Sequence, residues 1–240
     1  MTRQRRTGPR PPSHPFLASL ALAIAATLAS PVLAEADCRA RQGAGVDWSG
    51  CSKEKVIIRD SVMDGMSLEG SFLSGSDLRG ASLREANLQR TELVRTTFAG
   101  ADLSGANLEK VLASRADFSG AKLRGARLVK AEFQRVKFAG ADLTDANLSD
   151  GDFNRNDFTG AVLAGADLGG AILARGVFLG ADLSGADVTE AFLFKARIEG
   201  VDLGGVTGMT QGQADSACGD AATVLPAGIV TPALWPCGPD

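Results

Sequence analysis

The sequence predicts an all-β solenoid, a four-sided parallel β-helix of about eight coils, ending in a short helical and irregular C-terminal cap. Three observations predict it. Large apolar residues recur every fifth position, from Trp48 through Ile58, Met63, Leu68 and Leu73 to Leu203. The residue two before each is usually small, as at Ala81, Ala101 and Ala121, and the residue two after is often glycine, as at Gly70, Gly80 and Gly100. A second period of twenty overlies the first. Phe98, Phe118, Phe138, Phe158 and Phe178 repeat at that interval, and so do Arg95, Arg115, Arg135, Arg155 and Arg175. A helix needs apolar recurrence at 3.6 residues and a flat strand at 2. Period five fits a short extended step followed by a corner. The large and small residues, two apart, then face inward together. Residues that recur at twenty stack directly if four such steps make one coil. Self-similarity at a fixed period is the signature of a solenoid. At the ~4.8 Å spacing of paired strands, eight coils make a rod of roughly 38 Å.

The elements follow in chain order. Residues 1–34 read as a signal peptide. Arg3, Arg5, Arg6 and Arg10 form a basic leader, Phe16–Ala29 is an apolar run of fourteen, and Val32-Leu33-Ala34 supplies small residues before the cut. The run is short for a bilayer, which needs about 20 residues, so no transmembrane span is expected in the mature chain. Cleavage is expected near Glu35, with a cut after Ala36 as the alternative. The Arg5-Arg6 pair fits the twin-arginine route poorly, and Glu35-Ala36-Asp37 lacks the apolar residue of a lipoprotein box before Cys38. Residues 35–45 are expected to cap the first coil.

Residues 46–205 form the repeat. Here GADLSGANL at Gly100–Leu108 and GADLTDANL at Gly140–Leu148 match the motif A(D/N)LXX. The chain therefore resembles the pentapeptide-repeat family over about two-thirds of its length. The resemblance implies a right-handed coil, where the twenty-residue period had already argued for four sides. Two departures stand out. Lys53 occupies a core position, which predicts an open or distorted first coil. Ala113 occupies another with Leu112 beside it, which predicts a local slip or a thin spot in the core.

Residues 206–240 are expected to form the C-terminal cap, with Thr210 as N-cap of a short helix through Ala217 that ends near Gly219. Leu225, Ile229, Leu234 and Trp235 need burial. Outward-facing Ile172, Phe192 and Phe194 lie near the same end. The favoured expectation is that the tail folds over these three; the other is a homodimer face. Four cysteines allow three pairings. Cys38–Cys51 and Cys218–Cys237 are favoured because each pair is local and sits at one end of the rod. Each such loop is worth roughly 3 kcal/mol by chain entropy. Cysteines split between two ends also lack the paired spacing of a metal site.

Little catalytic chemistry is available. The single histidine, His14, lies in the leader, and the chain has no tyrosine. The mature protein would lack the commonest general base and the commonest transition-metal ligand. Asp102, Asp142, Asp182 and Asp202 form a carboxylate column interrupted by Lys122, but Asp before the large residue is the usual outward residue of the resembled family. Calcium along such a column has no recognised loop. No enzyme activity, cofactor or metal is expected.

The informative surface feature is a basic column at one corner: Arg95, Arg115, Arg135, Arg155, Arg175 and Lys195, with Arg90, Lys110 and Lys130 in the neighbouring column. Stacked cations repel unless countered. The favoured reading is an interleaved ion-pair network with Glu92, Glu132 and Asp152 on one side and Asp77, Asp117 and Asp157 on the other. The second reading is a strip for a polyanion such as an acidic envelope glycan, phospholipid headgroups or nucleic acid, since the arginine fork suits carboxylate and phosphate. No aromatic residues interleave the strip, so base stacking is not indicated. Removing residues 1–34 leaves 21 basic against 28 acidic residues, which argues against long-range steering to nucleic acid. The sequence thus predicts an exported, periplasmic or extracellular, non-enzymatic module that binds a protein or an envelope polyanion. Two alternatives stand beside it. Some members of the resembled family are DNA mimics that act on type II topoisomerase, but they are acidic cytoplasmic rods. An envelope hydrolase is the other, weakened by the missing histidine.

Overall fold

The coordinates are a computed structural model describing Gly8, residues 36–235 and Cys237. The leader and its cleavage site therefore lie outside the described residues. From Asp47 onward each coil takes twenty residues. Parallel bridges join residue i to residue i+20, from Asp47↔Ser67 to Asp187↔Thr207. The backbone supplies the ladder: the Phe98 amide donates to the Asp117 carbonyl at 2.7 Å, and the Asp117 amide donates to the Thr96 carbonyl at 3.0 Å. No long strands are needed, because each side contributes one bridged residue before the chain turns.

The corners explain the five-residue step. The carbonyl of the large residue accepts from the amide three positions on, as with Ala101 to Phe98 at 2.9 Å. The third residue of that turn sits in the left-handed region, as Gly100 does at φ +67°. Glycine adopts this conformation without steric cost. The aspartate or asparagine before the large residue closes the turn from outside: Asp102 accepts from the Ser104 amide and Asn107 from the Glu109 amide, both at 3.1 Å. This is the side-chain mimicry of a turn that short polar residues favour. The A(D/N)LXX motif thus contains two inward residues, a turn acceptor and a corner.

Large residues and the small residues two before them fill one continuous core. Phe98, Phe118, Phe138, Phe158 and Phe178 stack face to face with centroids 4.9–5.3 Å apart, one per coil. A second pair on the adjacent side, Phe133 and Phe153, stacks at 5.6 Å.

The two predicted irregularities have different outcomes. The ladder does not slip at Ala113. Strand β1 (Leu112–Ser114) pairs in register with β2 (Glu132–Gln134), placing Ala113 under Phe133 and Leu112 outside. The missing volume is made up by Phe133, whose ring packs edge-on against Phe118 in the coil of Ala113, at 5.7 Å. The first coil is open at one corner, as expected: in place of the closing bond, the Ser76 hydroxyl accepts from the Val56 amide at 3.1 Å and donates at 2.8 Å to the carbonyl of Lys53. The Lys53 amide keeps the ladder bond to the Phe72 carbonyl at 2.7 Å. Its ammonium leaves the core at the open end, donating to the Cys38 carbonyl at 2.7 Å and lying 3.9 Å from the centre of the Trp48 ring.

Both ends are tied down. Cys38 and Cys51 are bonded, and the Trp48 indole donates to the Ala40 carbonyl at 3.1 Å. At the far end, helix α1 (Gln211–Ser216) starts from Thr210 in a capping box with Gln213. The Gln213 amide group donates to the carbonyls of Val188 and Ala191 at 2.7 and 2.9 Å, covering acceptors of the last coil. The tail then continues the ladder with longer steps, pairing Arg197 with Cys218 and Asp202 with Val224. Cys218 and Cys237 are bonded.

The expected covering of the exposed apolar residues does not occur. The tail stacks on the end of the rod, and Ile172, Phe192 and Phe194 remain 40%, 53% and 42% exposed. Leu225 and Trp235 pack on the core, whereas Leu234 is 84% exposed. Ladder bonds to the last coil outcompete a fold-back, because they satisfy backbone groups whose burial unpaired would cost about 1–3 kcal/mol each.

Candidate anion-binding edge

The basic column occupies the corner that follows β1, β2 and their equivalents. Arg95, Arg115, Arg135, Arg155 and Arg175 all lie in the left-handed region at φ 56–58°. They are exposed, whereas Lys195 at the end of the column is half-buried. Two of these corners are opened. The bond that closes a standard turn is absent after Ala113 and Phe133, and the Val136 amide instead donates to the Asn156 side-chain oxygen at 2.8 Å. The adjoining groove, of about 420 Å³, is lined by Ser114, Arg115, Gln134, Arg135, Asn154, Arg155 and Arg175.

The ion-pair network favoured from sequence is not formed here. Among the described residues, Arg95, Arg115, Arg135, Arg155 and Arg175 make no ion pair. Five of their six expected partners are engaged elsewhere. Asp77 binds Arg59 and Arg79 at 2.6 and 2.7 Å. Glu92 accepts from the Ser74 hydroxyl. Asp117, Asp152 and Asp157 accept from the amides two residues on, at 3.0 Å each. These three aspartates stop at their own turns, whereas Asp77, Asp102 and Asp142 make the turn bond and pair with an arginine as well. Other cations do find partners: Arg84 with Asp102, Arg90 with Glu69, Lys110 and Arg127 with Glu109, and Arg124 with Asp142 and Asp145. The groove arginines therefore concentrate uncompensated positive charge on one edge of an otherwise acidic rod. Arg175 has one further contact, over the Phe194 ring at 6.0 Å.

The aspartates before the large residues, those of the carboxylate column included, carry turn chemistry. Hydrogen bonds from the Arg79 and then the Arg59 side chain hold Asp77 far below the ordinary carboxylate range. Burial works against ionisation of Asp102 and Asp142, but the hydroxyl and amide of Ser104 or Thr144, with Arg84 or Arg124 nearby, hold both below their usual value. The Ser184 amide and hydroxyl do the same for Asp182. These groups are stabilised as anions, unlike a general acid, whose pKa lies near the working pH. Among the described residues, no group of three histidine, cysteine, aspartate or glutamate side chains is placed to hold a metal ion, and no helix is long and apolar enough to cross a membrane.

Comparison with known proteins agrees with this architecture. Residues 91–168 match the family described as "Pentapeptide repeat region". Residues 61–100 and 161–200 match "Pentapeptide repeats (8 copies)". Among solved structures, HetL, a pentapeptide repeat protein involved in heterocyst differentiation regulation in the cyanobacterium Nostoc sp. strain PCC 7120, is 24% identical. The match covers 73% of this chain and 85% of HetL, with a TM-score of 0.55. QnrB1, a plasmid-mediated fluoroquinolone resistance protein, is 22% identical over 75% of this chain and 92% of its own, with a TM-score of 0.44. A pentapeptide repeat protein of the Arabidopsis thaliana thylakoid lumen is 29% identical over 57% of this chain and 70% of its own, with a TM-score of 0.24. No curated protein matches. The likeness to HetL establishes the fold, a right-handed four-sided β-helix.

Proposed function

Since this chain belongs to the pentapeptide-repeat family, we propose that it is an exported, non-enzymatic binding rod whose working edge is the arginine ladder and whose partner is a polyanion. One observation carries this reading: the ladder arginines Arg95, Arg115, Arg135, Arg155 and Arg175 stand without carboxylate partners while arginines elsewhere on the rod are paired. Cations about 5 Å apart repel one another in water by roughly 1 kcal/mol per pair. An anionic ligand removes that repulsion. Export is supported by the basic leader and apolar run of residues 1–34 and by the two terminal disulfides, which persist in oxidising compartments.

Retention on an immobilised polyanion such as dextran sulfate tests the edge. The wild-type protein is expected to elute with rising salt. The Arg115→Glu, Arg135→Glu, Arg155→Glu variant should pass through, with an unchanged circular dichroism spectrum. Equal retention of the two proteins removes the ladder as the binding edge. Inhibition of DNA supercoiling by the wild type, without retention on the polyanion, would replace this reading with action on topoisomerase. Mature protein found only in the cytosol would overturn the export part.

A further inference from the structure

The groove beside the ladder holds more than charge, and its other groups narrow the ligand. This inference rests on the anion-binding reading above. The residue before each member of the basic column, from Arg95 to Lys195, forms a second column: Val94, Ser114, Gln134, Asn154, Ala174 and Phe194; Ser114, Gln134 and Asn154 are its polar members. These three line the groove with the arginines. Among the described residues, the side chains of Ser114, Gln134 and Asn154 have no hydrogen-bond partner. The column ends at Phe194, which is exposed, stacks on Phe192 at 6.1 Å and borders Arg175. Successive levels are about 5 Å apart, as the 4.9 and 5.0 Å spacings of the phenylalanine stack in the same coils measure.

Each step of the groove from Arg115 to Arg155 therefore offers one permanent cation and one neutral hydroxyl or amide, and an aromatic face lies at one end. We infer that the groove binds a linear acidic glycan, a chain of uronic acid residues bearing one carboxylate per sugar. A guanidinium grips a planar carboxylate with two parallel hydrogen bonds. The Gln134 and Asn154 amides donate to and accept from ring hydroxyls. The apolar C–H face of a terminal sugar stacks on Phe194. One pyranose advances about as far as one coil, so the carboxylates of a chain laid along the groove recur at the spacing of the arginines, and the four arginines lining the groove span about four residues. Other polyanions use less of this. An unpaired nucleic acid strand needs an aromatic platform for successive bases, and this column has a single ring. A phospholipid surface offers no fixed row of hydroxyls to the amide column.

Titration calorimetry with oligogalacturonates of one to six sugars tests the inference. Affinity is expected to rise with length to about four sugars and then level off. Methyl esterification of the carboxylates should abolish binding. The Gln134→Ala, Asn154→Ala variant should weaken uronate binding by about tenfold, the size of one or two lost hydrogen bonds, and Phe194→Ala should separately weaken it by a similar factor through the lost stacking face. Both variants should elute from dextran sulfate at the wild-type salt concentration, which also reports that they are folded. If oligouronate, polyphosphate and dextran sulfate bind alike and these variants change nothing, the glycan inference fails and the general polyanion reading stands. Stronger binding to single-stranded DNA or to anionic phospholipid vesicles also overturns it. Retention on no polyanion removes both readings together.

Discussion

Arg115 sits where glycine costs less. A non-glycine residue in the left-handed region loses about 1 kcal/mol relative to the right-handed basin, and this corner holds arginine in five successive coils. Replacement by glycine relieves that strain but adds freedom to the unfolded chain, a cost of about 0.4–1 kcal/mol. The two effects offset. Arg115→Gly, Arg135→Gly should therefore leave the denaturant midpoint almost unchanged, within about 0.5 kcal/mol, while retention on dextran sulfate falls. A large loss of stability would instead make the arginines structural. The neighbouring core position behaves oppositely. Ala113 is under the Phe133 ring, so Ala113→Leu should overpack that level and cost about 1–3 kcal/mol, read as a lower urea midpoint. The sequence placed Ala113 as a core position but misjudged its consequence. Volume is shared across sides, and a five-residue pattern assigns each residue to one side only. The same limit hid the Phe133–Phe153 stack, which is legible as a twenty-residue repeat of just two members.

Helix α1 shows what periodicity leaves unread. Its N-cap at Thr210 was legible from composition, because a short polar side chain before a helix satisfies an orphan amide. The role of Gln213 was not. Its amide group reaches the Val188 and Ala191 carbonyls across more than twenty residues of sequence, and nothing local signals that contact. Gln213→Ala would leave the Ala191 carbonyl unpaired and the Val188 carbonyl with only the Ala191 amide, and should destabilise the C-terminal end by about 1–3 kcal/mol. Hydrogen exchange should show faster opening in the last coil, with the Phe98–Phe138 levels unaffected, since each coil contacts only its neighbours. Uniform loss of protection would contradict a local cap. The tail's path was misread for a related reason. Apolar content in Leu225, Ile229 and Leu234 suggested folding over the exposed phenylalanines, but the backbone of the last coil offered unpaired ladder groups, and the tail paired with those first.

Across the whole rod, the aspartates of the turns link charge to stability. Four sides and twenty residues per coil were legible because every coil repeats the same demand. The pairing of charges was not, because a turn-bonded aspartate can also reach an arginine, as Asp77, Asp102 and Asp142 do, or stop at its turn, and the five-residue pattern is the same in both cases. Asp117, Asp152 and Asp157 stop at the turn, and turn bonding also lowers the pKa of Asp187, through the Thr189 hydroxyl and amide, and of Asp182. A carboxylate whose folded pKa lies below its unfolded value of about 3.9 stabilises the fold above that value. Its contribution is lost as pH falls from there through the lower folded pKa. Stability should therefore be flat from about pH 7 to 5 and decline below about pH 4. Asparagine offers the same turn acceptor without a proton equilibrium, as Asn87, Asn107 and Asn147 do in this chain. Neither Asp182 nor Asp187 has an arginine partner among the described residues, so Asp182→Asn, Asp187→Asn should keep most of the neutral-pH melting temperature and flatten the acid decline. Thermal unfolding from pH 7 to 2.5 checks both halves. An equally steep decline in the variant would place the acid sensitivity in Asp77, Asp102, Glu109, Asp142 and Asp220, the other carboxylates held below their usual range.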